Sequence, residues 1–306
     1  MKRSQLVCAK LAGVLLATLF VLSCATAPTV VTDGALPAEL PRELLYFAEK
    51  GNTPFGTIEG IVESETGCEI SYTHFFPGNQ ATPDDPLLVL AHGFLRTKEN
   101  MRGWAELFAS HGVRTVAVTF CNSTLFSGNH EQNARDLRLV ADELAGTTTP
   151  VLYAGYSAGG LSALLAAAAD ERTFGYLGID PVDSGGQMEA VTELPSTALY
   201  LLAEPSSCNR NGATRPLLPQ ATPAWFVEIP YATHCTFEDP TDRTCIRVCG
   251  TVEPEDANDT LRSIIQGVGT LFVVAQFGTD PLAVQTLNVT RLQEWDNAEI
   301  IRLLEL

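Results

Sequence analysis

Gly155-Tyr156-Ser157-Ala158-Gly159-Gly160 stands where an apolar run, Val151 to Ala154, gives way to an alanine- and leucine-rich run that begins at Leu161. A strand, a tight turn and a helix in that order set a serine at the tip of a sharp bend. Glycines flank it because a side chain there would collide with the strained turn. This is the pattern of a nucleophile elbow. It is short, so the segments on either side decide the reading.

Working outward, apolar runs alternate with amphipathic ones. Strands are expected at Ile58 to Val62, Glu69 to Phe76, Leu87 to Ala91, Thr115 to Phe120, Val151 to Tyr156, Tyr176 to Ile179, Ala198 to Ala203 and Trp225 to Ile229. Helices are expected at Arg102 to Ser110, His130 to Leu144, Ala158 to Ala169 and Ala257 to Phe277. Leu87-Leu88-Val89-Leu90 is continuously apolar, as a parallel strand buried on both faces must be. The alternation predicts an α/β fold: one domain with a mostly parallel central sheet and helices on both faces. Ligands in such folds bind beyond the carboxyl ends of the strands.

A serine hydroxyl attacks only when a base takes its proton, and the base needs an acid to orient it. With an elbow on this architecture the acid and then the histidine follow the serine in the chain. His74, His92, His111 and His130 all precede Ser157, which leaves His234 as the base. Three acids are eligible on position. Asp180 ends the strand at Ile179, Glu204 ends the strand at Ala203, and Asp183 lies beyond Pro181 in what reads as a turn. The developing oxyanion needs N–H donors. One is Ala158 N–H at the start of a helix, and the other is Phe94 N–H in His92-Gly93-Phe94-Leu95 after the strand Leu87 to Ala91. His92 is read as orienting that loop, without proton chemistry. The acidic stretch Glu238-Asp239-Pro240-Thr241-Asp242 lacks alternating calcium ligands and reads as a solvated turn.

The segment Trp104-Ala105-Glu106-Leu107-Phe108-Ala109-Ser110-His111-Gly112-Val113 resembles the matching segment of bacterial cutinases and polyester hydrolases, and of chlorophyllases, within the α/β-hydrolase superfamily. Gly178-Ile179-Asp180-Pro181-Val182-Asp183 is similar to the chlorophyllase segment that supplies the catalytic aspartate, and secreted phospholipase-like acetylhydrolases place their acid at a comparable distance after the serine. Those likenesses favour Asp180. Polyester hydrolases take their acid from the loop after the following strand, which keeps Glu204 as the alternative. The resemblance covers about residues 68 to 278. It implies the α/β-hydrolase fold and cleavage of carboxylic esters through an acyl-serine intermediate, with no cofactor and no metal. Tyr156 and Ala158 around the serine depart from the chlorophyllase elbow, so chlorophyll is not the expected substrate.

Lys2 and Arg3 precede an apolar stretch, Leu11 to Leu22, laid out as an export signal. That stretch falls short of the roughly 18 residues a membrane span needs. Val21-Leu22-Ser23-Cys24 resembles the lipobox of bacterial lipoproteins, whose cysteine is acylated, and an ordinary signal peptide cut near Ala25 to Ala27 is the alternative. The expected organisation is therefore a signal at 1–23, an anchor and linker at 24–41 and the hydrolase domain at 42–306. The formal charge is −17, and loss of Lys2, Arg3 and Lys10 with the signal makes it −20. Such acidity excludes nucleic acid as a natural partner. The expected partner is a small-molecule or lipid ester, the protein a monomer, and its only membrane contact the lipid anchor.

Cys68, Cys121, Cys208, Cys235, Cys245 and Cys249 form an even set in an exported chain and read as disulfides. A Cys208 to Cys235 bridge is expected between two loops at the site. A zinc site at His234, Cys235, Cys245 and Cys249 matches no common spacing. Within enzymes a lipase or polyester hydrolase is the second reading. A non-catalytic binding lipoprotein that keeps the fold is the third.

Overall fold

The structure, a computed structural model, describes residues 36–37, 39–78, 82, 84–123, 128–221, 223–249 and 255–306. Cys24 and the rest of the export segment lie outside the described residues.

Nine strands form one sheet: β1 Phe55–Glu63, β2 Glu69–Pro77, β3 Leu87–Ala91, β4 Thr115–Thr119, β5 Val151–Tyr156, β6 Thr173–Ile179, β7 Thr197–Leu202, β8 Ala224–Glu228 and β9 Arg302–Leu303. Their order is β1-β2-β4-β3-β5-β6-β7-β8-β9. From β4 to β8 every neighbouring pair is parallel, while β1 with β2, β2 with β4 and β8 with β9 run antiparallel. A two-stranded parallel pair, Glu193–Leu194 with Gln220–Ala221, stands apart.

Both faces of the sheet are covered, which is why β3 reads as an unbroken apolar run. Leu88 and Leu90 point into one core with helices α1 (Arg42–Ala48), α2 (Arg102–Ser110) and residues of the long helix at Glu255–Phe277. Leu87, Val89 and Ala91 point into the other, with α3 (His130–Ala145) and α4 (Ala158–Ala169). The remaining helices are α5 Arg243–Cys249, α6 Glu255–Phe277, α7 Pro281–Thr286 and α8 Val289–Asn297. Asp259–Phe277 of α6 is long and apolar enough to cross a membrane on length and composition alone. Here its apolar side is core: Leu261, Ile264, Ile265 and Val268 are buried against α1 and the sheet.

The expected strands and the expected helices are present, with ends moved by at most three residues. Four short elements, α1, α5, α7 and β9, carry too few residues for a readable period, and α8 (Val289–Asn297) was not expected either. The C-terminal Ile300 and Ile301 pack into the core, and β9 pairs with β8 at the sheet edge.

Successive strands run outward from β3 to β4 and then, from β5, outward on the other side. The turn points after β3 and β5 are therefore adjacent, and their loops diverge to leave a crevice at the carboxyl edge. His92-Gly93-Phe94 leaves β3 there and Ser157 leaves β5.

Helix α6 packs tightly on α1 at Gly267, where a Cβ would lie 2.5 Å from the backbone oxygen of Leu44. Alanine is the better helix former by about 1 kcal/mol, yet backbone cannot yield as a side chain does, and overpacking costs about 1–3 kcal/mol. Gly267→Ala is expected to lower the thermal midpoint by a few degrees, whereas propensity alone would raise it; a thermal melt decides.

Candidate active site

Ser157 occupies φ 54°, ψ −124°, between the end of β5 and the first residue of α4. A residue with a Cβ pays for that conformation, on the order of 1–3 kcal/mol, and holds it only where surrounding contacts over-determine it. Ser157 N–H donates to Ile179 O at 3.0 Å, and Ser157 O accepts from Gly160 N–H at 2.9 Å and Val182 N–H at 3.0 Å. The three glycines let this happen by close approach. A Cβ at Gly155 would meet the backbone oxygen of Gly159, one at Gly159 would meet His92 O, and one at Gly160 would come within 2.7 Å of Pro181.

His234 opens a short 3-10 turn, His234–Phe237, just beyond β8. Thr233 and Thr236 cap that turn reciprocally, Thr233 N–H donating to Thr236 Oγ1 at 3.2 Å. Tyr156 holds the histidine from beneath: the rings stack with centroids 4.8 Å apart, and Tyr156 Oη–H donates to His234 O at 3.0 Å. Burial, then the nearby Glu238 carboxylate, push the Tyr156 phenol well above its usual range, so it stays a donor.

The two ring nitrogens of His234 meet two different side chains. Nε2 lies 2.9 Å from Ser157 Oγ, and Nδ1 lies 2.6 Å from Asp180 Oδ2. All three residues are buried. Asp180 is the first residue after β6, at φ 41°. Its other oxygen, Oδ1, accepts from Ala203 N–H at 3.0 Å, and Asn209 Nδ2 donates to Oδ2 at 3.3 Å. With one face of the carboxylate bonded to backbone, the other can only point at the imidazole.

Glu204 and Asp183 are placed elsewhere. Glu204 contributes backbone alone, accepting from Asn209 Nδ2 at 2.8 Å and donating to Ala232 O at 3.1 Å. Asp183 closes the turn that follows it, its carboxylate accepting the N–H groups of Gly185, Gly186, Gln187 and Met188. Burial raises its pKa, but those four donors outweigh it and hold the carboxyl below its ordinary range.

The loop after β3 lies against the elbow: a Cβ at Gly93 would be 2.9 Å from the Tyr156 ring and 3.1 Å from Ser157 Cβ. Phe94 N–H and Ala158 N–H have no acceptor among the described residues. His92 is buried, with Nδ1 2.7 Å from Gly93 O and Nε2 3.1 Å from Phe120 N–H. The second contact needs a lone pair on Nε2, so Nδ1 carries the proton and donates to Gly93 O. Burial holds this imidazole down at about 4, against the opposing bond to Gly93 O and with the Arg96 charge pushing the same way.

Beside Ser157 and His234 opens a cavity of about 230 Å³, walled by Phe94, Leu95, Arg96, Tyr156 and the α5 face Thr244, Cys245, Val248 and Cys249. Phe94, Leu95 and Val248, which line it, are exposed at its mouth. Two disulfides hold α5 in place, and they correct the expected Cys208 to Cys235 bridge. Cys208 pairs with Cys249, Cys235 with Cys245, and Cys68 with Cys121. Cys245 and Cys249 lie one turn apart on the same face of α5, so one reaches the His234 turn and the other the 207–212 loop. The sulfurs of Cys235, Cys245 and Cys249 fall within 4.8 Å of one another only because the two bridges run side by side. Bridged sulfurs carry no thiolate for a metal.

Glu238 is also a correction. In place of a solvated turn residue it is fully buried, with Oε1 accepting from Arg96 Nε. Nothing in the sequence near either residue announces that pair.

Residues 88–304 match the model of the family described as Alpha/beta hydrolase family, more than two thirds of the chain. No curated protein matches the chain.

Two buried histidines link stability to pH. His74 on β2 accepts from Arg114 Nε at 3.1 Å, and burial, then that cation, hold it at about 4, as burial holds His92. The unfolded chain protonates histidine near 6.5, so it binds the extra protons between pH 6.5 and 4. Stability is full above that window and is lost as pH falls through it, on the order of 3 kcal/mol for each buried histidine. Urea unfolding at pH 7.5 and 4.5 is expected to show this loss, and His92→Asn to shrink it. An undiminished loss in the variant excludes His92 as a source.

Proposed function

Because the chain belongs to the alpha/beta hydrolase family, we propose that it is an exported serine esterase that cleaves small carboxylic esters through an acyl-serine intermediate. The observation that carries the reading is the pair of contacts made by the His234 ring, 2.9 Å to Ser157 and 2.6 Å to Asp180.

In the first half-reaction Ser157 Oγ attacks the ester carbonyl carbon while His234 Nε2 takes its proton. Asp180 orients the ring through Nδ1–H and stabilises the imidazolium. The carbonyl oxygen gains charge and is met by the N–H groups of Ala158 and Phe94, with the N-terminus of α4 adding its partial positive charge. Collapse expels the alcohol, which takes the proton from His234. Water, activated by the same histidine, then releases the acid. Tyr156 keeps the imidazole plane in line with both partners, and Asn209 with Ala203 N–H keeps Asp180 aimed.

A cavity of about 230 Å³ is below the roughly 300–1,000 Å³ of sites for drug-sized ligands. This favours short acyl groups. A lipase or polyester hydrolase is the second reading, supported by the exposed apolar rim of Phe94, Leu95 and Val248. The protein acts as a monomer outside the cytoplasm, held to the membrane by an acylated Cys24. Three disulfides support the oxidising compartment.

Ser157→Ala is expected to abolish turnover of p-nitrophenyl butyrate and labelling by a fluorophosphonate, with the thermal midpoint unchanged. Undiminished hydrolysis ends the proposal, and a wild-type protein that resists the fluorophosphonate points to a non-catalytic binding lipoprotein. Asp180→Asn is expected to lower kcat by about 10,000-fold, and Glu204→Gln to change it less than about threefold. The reverse order moves the acid to Glu204. On a series from acetyl to palmitoyl esters, kcat/KM is expected to fall beyond about eight carbons. A rise toward palmitoyl or on polyester film favours the second reading.

A further inference from the structure

Gly93-Phe94-Leu95-Arg96 is a four-residue turn closed by Arg96 N–H to Gly93 O at 3.2 Å. Its third residue, Leu95, sits at φ 58°, a position that such turns give to glycine or asparagine. A leucine there is strained and persists only where neighbours hold it. The neighbours are visible. His92 Nδ1–H and Arg96 N–H both bond Gly93 O, and Arg96 Nη1–H reaches back to Leu95 O at 3.3 Å. The same guanidinium donates from Nε to Glu238 Oε1, 142 residues away in the chain. Arg96 is 9% and Glu238 0% exposed at the side chain, and Asp242 stands 3.7 Å from Arg96 Nη2.

Glu238 ends the turn that begins with His234. Its own backbone is fixed, because Glu238 O accepts from Arg262 Nη1 at 2.6 Å and from Thr241 Oγ1 at 2.9 Å. The ion pair therefore joins the loop that carries Phe94 to the loop that carries His234. Stability alone does not explain it, since a buried ion pair is often no better than an apolar pair of the same volume. A guanidinium, however, binds along fixed directions, so its value is geometric.

We infer that Arg96 and Glu238 are positioning residues that clamp the strained turn after β3 to the His234 turn, and so aim Phe94 N–H at the oxyanion. The inference rests on Ser157 being the nucleophile. Neither residue touches the reacting atoms. The clamp acts when negative charge appears on the carbonyl oxygen, so its loss lowers kcat and leaves KM nearly unchanged.

The test uses the whole exported domain. Arg96→Lys keeps the charge beside Glu238 and removes the fork that reaches Leu95 O. Arg96→Met with Glu238→Leu removes the pair without leaving a lone buried charge. On p-nitrophenyl butyrate the lysine variant is expected to lose about tenfold in kcat and the double variant about 100-fold, comparable to removing one oxyanion donor. KM is expected to stay within about threefold, thermal midpoints within a few degrees, and affinity for phenylboronic acid, a tetrahedral oxyanion mimic, to fall in parallel with kcat. A folded lysine variant with kcat within twofold of wild type overturns the inference, as does a loss confined to KM. If the double variant does not fold, the lysine variant decides. Ser157→Ala runs alongside: its retained activity sinks the esterase reading, whereas its inactivity with an unaffected clamp variant sinks the clamp alone.

Discussion

The close approach of helix α4 to the sheet governs the carboxyl edge of this protein. Gly155, Gly159 and Gly160 remove the Cβ atoms that would otherwise meet Gly159 O, His92 O and Pro181. Backbone can then pack on backbone, and the chain passes from β5 into α4 through one residue. That residue is Ser157, and its φ of 54° follows from how little room the transition has. The backbone oxygen and the N–H of Ser157 itself are consumed in holding the bend. The side chain is thus the free part, and it projects into the crevice where the sheet order reverses.

The rest of the site is a set of loops brought to that fixed point, each secured by a different means. His234 is secured by the stacked Tyr156 ring, by two threonine caps and by a disulfide at its neighbour Cys235. Asp180 is secured by backbone N–H and by Asn209. The β3 loop is secured by the neutral His92, which bridges Gly93 O and Phe120 N–H. Small, rigid devices of this kind suit the proposed ester chemistry, because donors that need not reorganise are worth most to a developing oxyanion. The acidic surface, formally −17 over the chain, has no part in these contacts.

Much of the fold was legible because its signals are local. An unbroken apolar run such as Leu87 to Ala91 means burial on both faces, and the amphipathic period of His130 to Leu144 means a surface helix. The elbow was legible too, since its glycines, serine and following helix are consecutive. His234 could be picked out by chain order, and it does stand 2.9 Å from Ser157. Tyr156 and Asn209 gave no such signal: a tyrosine before a serine and an asparagine in a loop are ordinary residues until a ring or a carboxylate is set against them. Glu238 gave no signal for the same reason, because four polar residues around a proline look solvated and only packing reveals that one of them is buried.

By itself, then, the sequence determined the layer architecture, the position of the strained serine and the identity of the histidine that follows it, because each depends on spacing along the chain. Tertiary structure decided which carboxylate meets that histidine, how six cysteines pair and which charges are buried. Asp180 and Glu204 both follow strands, β6 and β7, that are neighbours in the sheet. What separates them is the path of two loops, and with it the direction in which Ala203 N–H and Asn209 hold a carboxylate. Contacts such as Asp180 with His234 and Arg96 with Glu238 span 54 and 142 residues. No local period encodes such distances, because they exist only once the sheet has its order and its loops have closed.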